Sequence, residues 1–171
     1  MPTPDEFLRD VIDPGLIWFA GLGGPAVTDN ARRMLLAIAM QESGPNLDAR
    51  YQNSPATTPG PARGPYQFEQ GGGVRGVMNH SATSALARRA TTATNVVHQE
   101  QAIHRALEGH DNLSTAFARL LLWSDPQALP TTQQGGWDYY NRNWRPGKPH
   151  PDRWPANWAA ADAAVRARPT A

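Results

Sequence analysis

Apolar positions run unbroken from Met34 to Met40 and give way abruptly to Gln41-Glu42-Ser43-Gly44-Pro45. A segment apolar nearly all round predicts a buried central helix. Thr28 or Asp29 is placed to cap its start, and Gly44-Pro45 is a good stop signal. Farther along, helical patterns cover residues 74–79, 83–93, 97–108 and 113–123, with Gly109 and Asp125-Pro126 as plausible stops. Leu113, Phe117, Leu120 and Leu121 fall at helical spacing and are assigned to the core. Trp154, Trp158, Ala161 and Val165 form one stripe, which predicts a C-terminal helix docked on that core. No run alternates with period two, so any sheet is small and belongs to the 51–68 region. The pattern therefore predicts a mainly α fold with a buried central helix and at most a small β element. It contains no internal repeat, and residues 1–171 read as a single domain.

Composition narrows the chemistry by exclusion. A chain of 171 residues buries a real core without staples. The absence of cysteine removes disulfides, thiol nucleophiles and thiolate metal sites. Sixteen lysines and arginines stand against fifteen acids, and a net charge of +1 does not mark a nucleic-acid binder. The start Met1-Pro2-Thr3-Pro4-Asp5-Glu6 lacks the basic opening of a secretory signal, and the glycine-broken stretch Leu16 to Leu22 is too short to span a bilayer. A soluble chain without membrane insertion or export signal is expected. His98, His104 and His110 are spaced by six residues, about 240° per step around a helix, and are scattered; with no HExxH pattern, no metal is expected. Glu100 and His104 share a face and read as an exposed pair. The Gly71-Gly72-Gly73 triplet lacks the Lys-Ser/Thr of a phosphate loop and a convincing preceding strand, so nucleotide binding is set aside.

Three stretches carry candidate chemistry. Glu42 ends the apolar helix, where burial and the negative end of the helix dipole both favour its neutral form. It is a candidate general acid, and being mostly protonated near neutral pH requires a rise of about two units above its reference value. The competing reading is a solvated glutamate in a last helical turn. Residues 44–63 form a Pro-, Thr-, Ser- and Asn-rich loop of a length uncommon in compact domains unless it is functional or disordered. Next comes Arg63-Gly64-Pro65-Tyr66-Gln67-Phe68-Glu69, where Gly64 permits close backbone approach and Gln67 both donates and accepts. The third stretch, Trp137 to Pro149, mixes aromatic rings, amides and cations, a combination suited to a carbohydrate cleft. Arg142, Arg145, Lys148 and Arg153 could meet peptide carboxylates, but Asp138 and Asp152 dilute the patch, and solvated surface is the preferred reading.

In this order the three stretches resemble the lytic transglycosylases of the lysozyme superfamily, whose pattern is Glu-Ser, then Gly-Leu-Met-Gln, then Tyr-Asn. Glu42-Ser43 matches the first motif. Gly64-Pro65-Tyr66-Gln67 matches the second at its Gly and Gln ends and departs from it in the middle. Tyr140-Asn141 is assigned to the third, with Tyr139 able to take the tyrosine role. The resemblance covers about residues 30 to 145 and implies a lysozyme-like domain. It implies cleavage of the β-1,4 bond between N-acetylmuramic acid and N-acetylglucosamine in bacterial peptidoglycan, with Glu42 as acid and no cofactor. Ser43, Tyr66, Gln67, Glu69, Tyr139, Tyr140 and Asn141 would bind substrate or hold the acid. A water-using enzyme of this class usually needs a second carboxylate, for which Asp48 and Glu69 are the candidates. The expected partner is the glycan strand, met by a monomer of phage type. It would be made in the cytoplasm and reach the wall through holin-type release or as a virion component. The rival expectation is a noncatalytic glycan-binding or virion structural protein. A wall peptidase is disfavoured, since neither a metal triad nor a Ser-His-Asp arrangement has interpretable spacing.

Overall fold

The computed structural model describes residues 1–44, 47 and 60–170 and is mainly helical. Its centre is the helix foreseen from the apolar run. This helix, Asp29–Ser43, begins at Thr28, whose hydroxyl accepts from the Ala31 amide at 3.2 Å, and ends at Gly44. Every residue from Met34 to Gln41 is buried.

The chain enters through a helical stretch that the hydrophobic pattern did not announce. Helix α1 (Pro4–Phe7) passes through a π-helical turn at Leu8–Ile12 into α2 (Asp13–Gly21). A capping box at Thr3 and Glu6 starts it, and Phe7, Leu8, Ile12, Leu16 and Phe19 bury its inner face. The central helix is α3. A two-stranded antiparallel hairpin follows, β1 (Ala62–Arg63) and β2 (Phe68–Glu69), with Ala62 opposite Glu69 and Arg63 opposite Phe68. The glycine triplet is taken up by a second π turn, Gln70–Val74, that runs into α4 (Arg75–Asn79).

Helices α5 (Ser84–Ala93), α6 (Glu100–Ala106) and α7 (Asp111–Trp123) occupy the segments predicted for them. Leu113, Phe117 and Leu120 are fully buried, as their spacing predicted. Glu100 and His104 do not pair: Glu100 binds Arg75, and the His104 Nε2 lies between the carbonyls of Pro61 and Phe68. The third chemical stretch lies largely on α8 (Gln133–Trp144), and the tryptophan stripe lies on α9 (Trp154–Ala167). Helix α3 packs against α9 and α7, α2 packs on α7, and α8 contacts α9. The consequence for function is that α3 delivers its C-terminal end between the hairpin and α8. Among the described residues no helix is long and apolar enough to cross a membrane.

Candidate active site

Glu42 lies in the last turn of α3, half-buried, and the Tyr140 hydroxyl donates to its Oε1 at 2.6 Å. Burial pushes the carboxyl up to about 7. The Tyr140 bond works against that shift, and the charge of Glu69 adds to it. Tyr140 is itself pushed well above the ordinary phenol range by burial, and further by the adjacent carboxylate. It therefore stays protonated and can only donate to a charged Glu42.

Two indoles pack on the Tyr140 ring and a third backs them. Trp154 stacks on it with centroids 5.3 Å apart and planes at 14°. Trp137 lies 5.6 Å from Tyr140 and 5.7 Å from Trp154, and Trp158 continues the cluster 6.0 Å beyond Trp154. Such rigid packing fixes the phenol without the entropy cost of a mobile donor.

The hairpin forms the facing wall, and its conformation follows from two left-handed residues. Gly64 has φ 69°, and a Cβ there would lie 2.5 Å from the Leu107 carbonyl oxygen, so only glycine fits. Gln67 has φ 49° and returns both its backbone amide, at 3.0 Å, and its side-chain amide, at 2.8 Å, to the Gly64 carbonyl. Ser43 donates to the Pro65 carbonyl at 2.6 Å, which ties the end of α3 to this turn. Trp144 donates to the Tyr66 carbonyl at 3.2 Å and meets the Phe68 ring edge-on at 5.8 Å, which ties the turn to α8.

The structure thus brings Glu42, Ser43, Gln67 and Tyr140 to one place, with Glu69 exposed on β2 and close enough to act on Glu42 through its charge. Two expected substrate contacts are corrected. Tyr66 is fully buried, its hydroxyl faces Thr115 Oγ1 at 3.4 Å, and burial raises its phenol. Tyr139 is buried against α7, donates to the Leu122 carbonyl at 2.6 Å and does not reach Glu42. Successive residues on a helix point about 100° apart, so of the two tyrosines Tyr140 faces the acid. Asn141 is half-buried and donates to the Trp137 carbonyl at 3.0 Å, within its own helix. The other carboxylate considered, Asp48, lies outside the described residues.

Sequence reasoning missed Gln41, which is buried and donates to the carbonyls of Pro149 and His150 at 2.6 and 3.0 Å while accepting from Asn157 at 2.8 Å. Its one legible signal was an amide placed beside the acid at the end of an apolar run. Trp144 was likewise seen only as one aromatic among several. A groove of about 800 Å³ between Leu22, Met78 and α5 shares no residue with the Glu42 cluster. Among the described residues no group of His, Asp or Glu is arranged to hold a metal.

What these groups can do is move a proton. A carboxyl half-protonated near neutrality, with a fixed phenol donor on one oxygen, can give up a proton and be stabilised as it ionises. Compared with known proteins, the chain matches no family model, no curated protein and no solved structure.

Proposed function

We propose that this chain cleaves the β-1,4 glycosidic bond between N-acetylmuramic acid and N-acetylglucosamine in bacterial peptidoglycan, with Glu42 as general acid and then base. The observation that carries the reading is the Glu42 carboxyl, raised to about 7 and bonded by Tyr140 at 2.6 Å. At pH 7 an acid of pKa near 7 is protonated roughly a hundredfold more often than one left at its reference value. The order Glu42-Ser43, Gly64 to Gln67, Tyr140-Asn141 supports a lysozyme-like assignment, as do the bonds that the Glu42-Ser43 pair makes to both other segments.

In the first step the Glu42 proton passes to the glycosidic oxygen. The C1–O bond breaks with its electron pair going to the N-acetylglucosamine oxygen, and the muramic ring carries an oxocarbenium-like charge. The Glu42 carboxylate, now accepting from Tyr140, next removes a proton from the nucleophile that closes on C1. If that nucleophile is the muramic 6-hydroxyl, the product is a 1,6-anhydro ring and Glu42 is restored with no second carboxylate. If it is water, the product is a reducing end, and Glu69, whose charge reaches Glu42, is one candidate for the second acidic group. The ends of the products separate these outcomes.

The test is mass spectrometry of fragments released from purified peptidoglycan, run beside Glu42→Gln. Anhydro-muramic ends that vanish in the variant support a lytic transglycosylase, and reducing ends that vanish support a hydrolase. Equal release by both proteins removes Glu42 from the mechanism. Wall binding with no release by either favours a noncatalytic glycan-binding or virion structural protein.

A further inference from the structure

The segment between α8 and α9, residues 145–153, reads Arg-Pro-Gly-Lys-Pro-His-Pro-Asp-Arg and has no part in the proton transfer. It is nevertheless fastened to the site along its length. Trp144, just before it, is held by the Tyr66 carbonyl and the Phe68 ring. In its middle, the carbonyls of Pro149 and His150 accept from Gln41, the residue preceding Glu42. Trp154, just after it, stacks on the tyrosine that holds Glu42. The loop therefore borders the acid.

Its backbone and its charges are both unusual. Arg145 and His150 each have φ 49°. Glycine is the ordinary occupant of that conformation, and a side chain kept there in spite of the strain is a pointer to use. Among the described residues the other non-glycine cases are Gln67, in the turn of the same site, and Asn95, a residue type that tolerates it. Arg145, Lys148 and Arg153 are exposed, and the ion pairs among the described residues leave all three without a carboxylate. Asp152 is the only acid in the segment. The other described cations without such a partner, Arg88, Arg89, Arg105 and Arg119, lie on α5, α6 and α7, away from this loop in the chain.

We propose that this loop recognises the carboxylates that peptide substituents place on the glycan, so that the site takes an anionic, peptide-bearing strand in preference to a neutral polysaccharide. The inference rests on the glycan-cleavage reading for the identity of the ligand. An arginine fork and a lysine on an exposed loop beside the acid suit carboxylates held on flexible peptides. They attract the strand at long range and bond it in the complex.

The test is sedimentation binding of the full chain, as Glu42→Gln to keep the wall uncut, to peptidoglycan freed of other wall polymers. The same material with its carboxylates amidated serves as the neutral counterpart. The expected result is weaker binding to the amidated wall. Arg145→Gly and Lys148→Gln each lose about two- to fivefold in affinity for the charged wall and nothing for the amidated one. Arg145→Gly also relieves the left-handed backbone, so a variant that melts no lower than its parent yet binds less tightly separates recognition from misfolding. Equal binding of both walls by all proteins overturns the loop assignment while leaving cleavage intact. Charge-dependent binding by this loop, with no fragments released by the parent chain carrying Glu42, overturns cleavage and leaves the loop assignment standing.

Discussion

A carboxyl that favours its neutral form imposes a stability cost when ionised, and at Glu42 the sign is fixed by linkage. Its pKa is raised from 4.5 to about 7. The native state therefore holds the proton more tightly than the unfolded chain between those values. Stability linked to this group is full below about pH 4.5 and is lost as pH rises through about 7. Glu42→Gln, which mimics the neutral acid, should match the parent near pH 4.5 and exceed it by up to about 3 kcal/mol at pH 8 in urea unfolding. The same change should lower glycan cleavage by about 10²- to 10⁴-fold. A variant less stable than its parent at pH 8 would mean that Glu42 is solvated and unperturbed. Tyr140 acts on the same equilibrium from the other side. Its bond lowers the Glu42 pKa against the effect of burial. Tyr140→Phe should therefore move the alkaline limb of the pH–rate profile upward while reducing the maximal rate about tenfold. Tyr139→Phe, which loses a bond to the Leu122 carbonyl instead, should leave that limb in place.

The position of Tyr140 depends on how closely α8 approaches α9. Gly136 sits one turn before Tyr140, and a Cβ there would lie 2.3 Å from the Trp158 ring, so this contact sets the separation of the two helices. Gly136→Ala should cost about 1–3 kcal/mol by overpacking, offset in part by about 1 kcal/mol of better helix propensity. Because the displaced helix carries the donor to Glu42, cleavage per folded molecule should also fall. Chemical denaturation together with a rate measurement on the folded fraction checks both. Full activity would show that α8 relaxes without moving Tyr140. None of this contact was legible in the sequence, because nothing in the local pattern tells which side chain from α9 will face Gly136. The elements that were legible are those in which one period dominates: the Met34–Met40 run, the Leu113 and Phe117 face of α7, and the Trp154, Trp158, Ala161, Val165 stripe. Helices α1 and α2 escaped because their proline and glycine residues, Pro4, Pro14 and Gly15, read as breaks; two prolines sit at helix N-termini, where they fit. At the site, the sequence singled out Glu42 and the hairpin motif but did not separate Tyr139 from Tyr140. It also took Tyr66 for a ligand contact, since a phenol beside a turn gives no sign of which way the core lies.

Across the whole chain, the two ends of the sequence are locked together through one side chain. Arg32, near the start of α3, is 3% exposed at its side chain and binds Asp13 Oδ1 of α2 at 2.7 Å. It also reaches Asp13 Oδ2 and Asp29 Oδ1, each at 2.9 Å, and the Arg168 carbonyl beyond α9. Arg168 in turn pairs with Asp5 in α1 at 3.0 Å. One guanidinium thus joins Asp13 of α2, Asp29 of its own helix and the chain just beyond α9, and of its two carboxylate partners Asp13 is the less exposed. Removing Arg32 forfeits charge-assisted hydrogen bonds that contribute about 1.5–3 kcal/mol each, whereas exposed ion pairs contribute about 0–1 kcal/mol. Arg32→Met, which keeps most of the apolar volume, should therefore lower the urea midpoint sharply. Arg9→Met, which removes the exposed pair with Asp10, should leave it nearly unchanged. Ten residues of helix, about 15 Å, separate Arg32 from Glu42, so the rate per folded molecule should be the same in both variants. Equal midpoints for the two would mean that the Arg32 network is solvated enough to behave as a surface pair. A lost rate in folded Arg32→Met would mean that α3 transmits a shift at its N-terminal end to the carboxyl at the other.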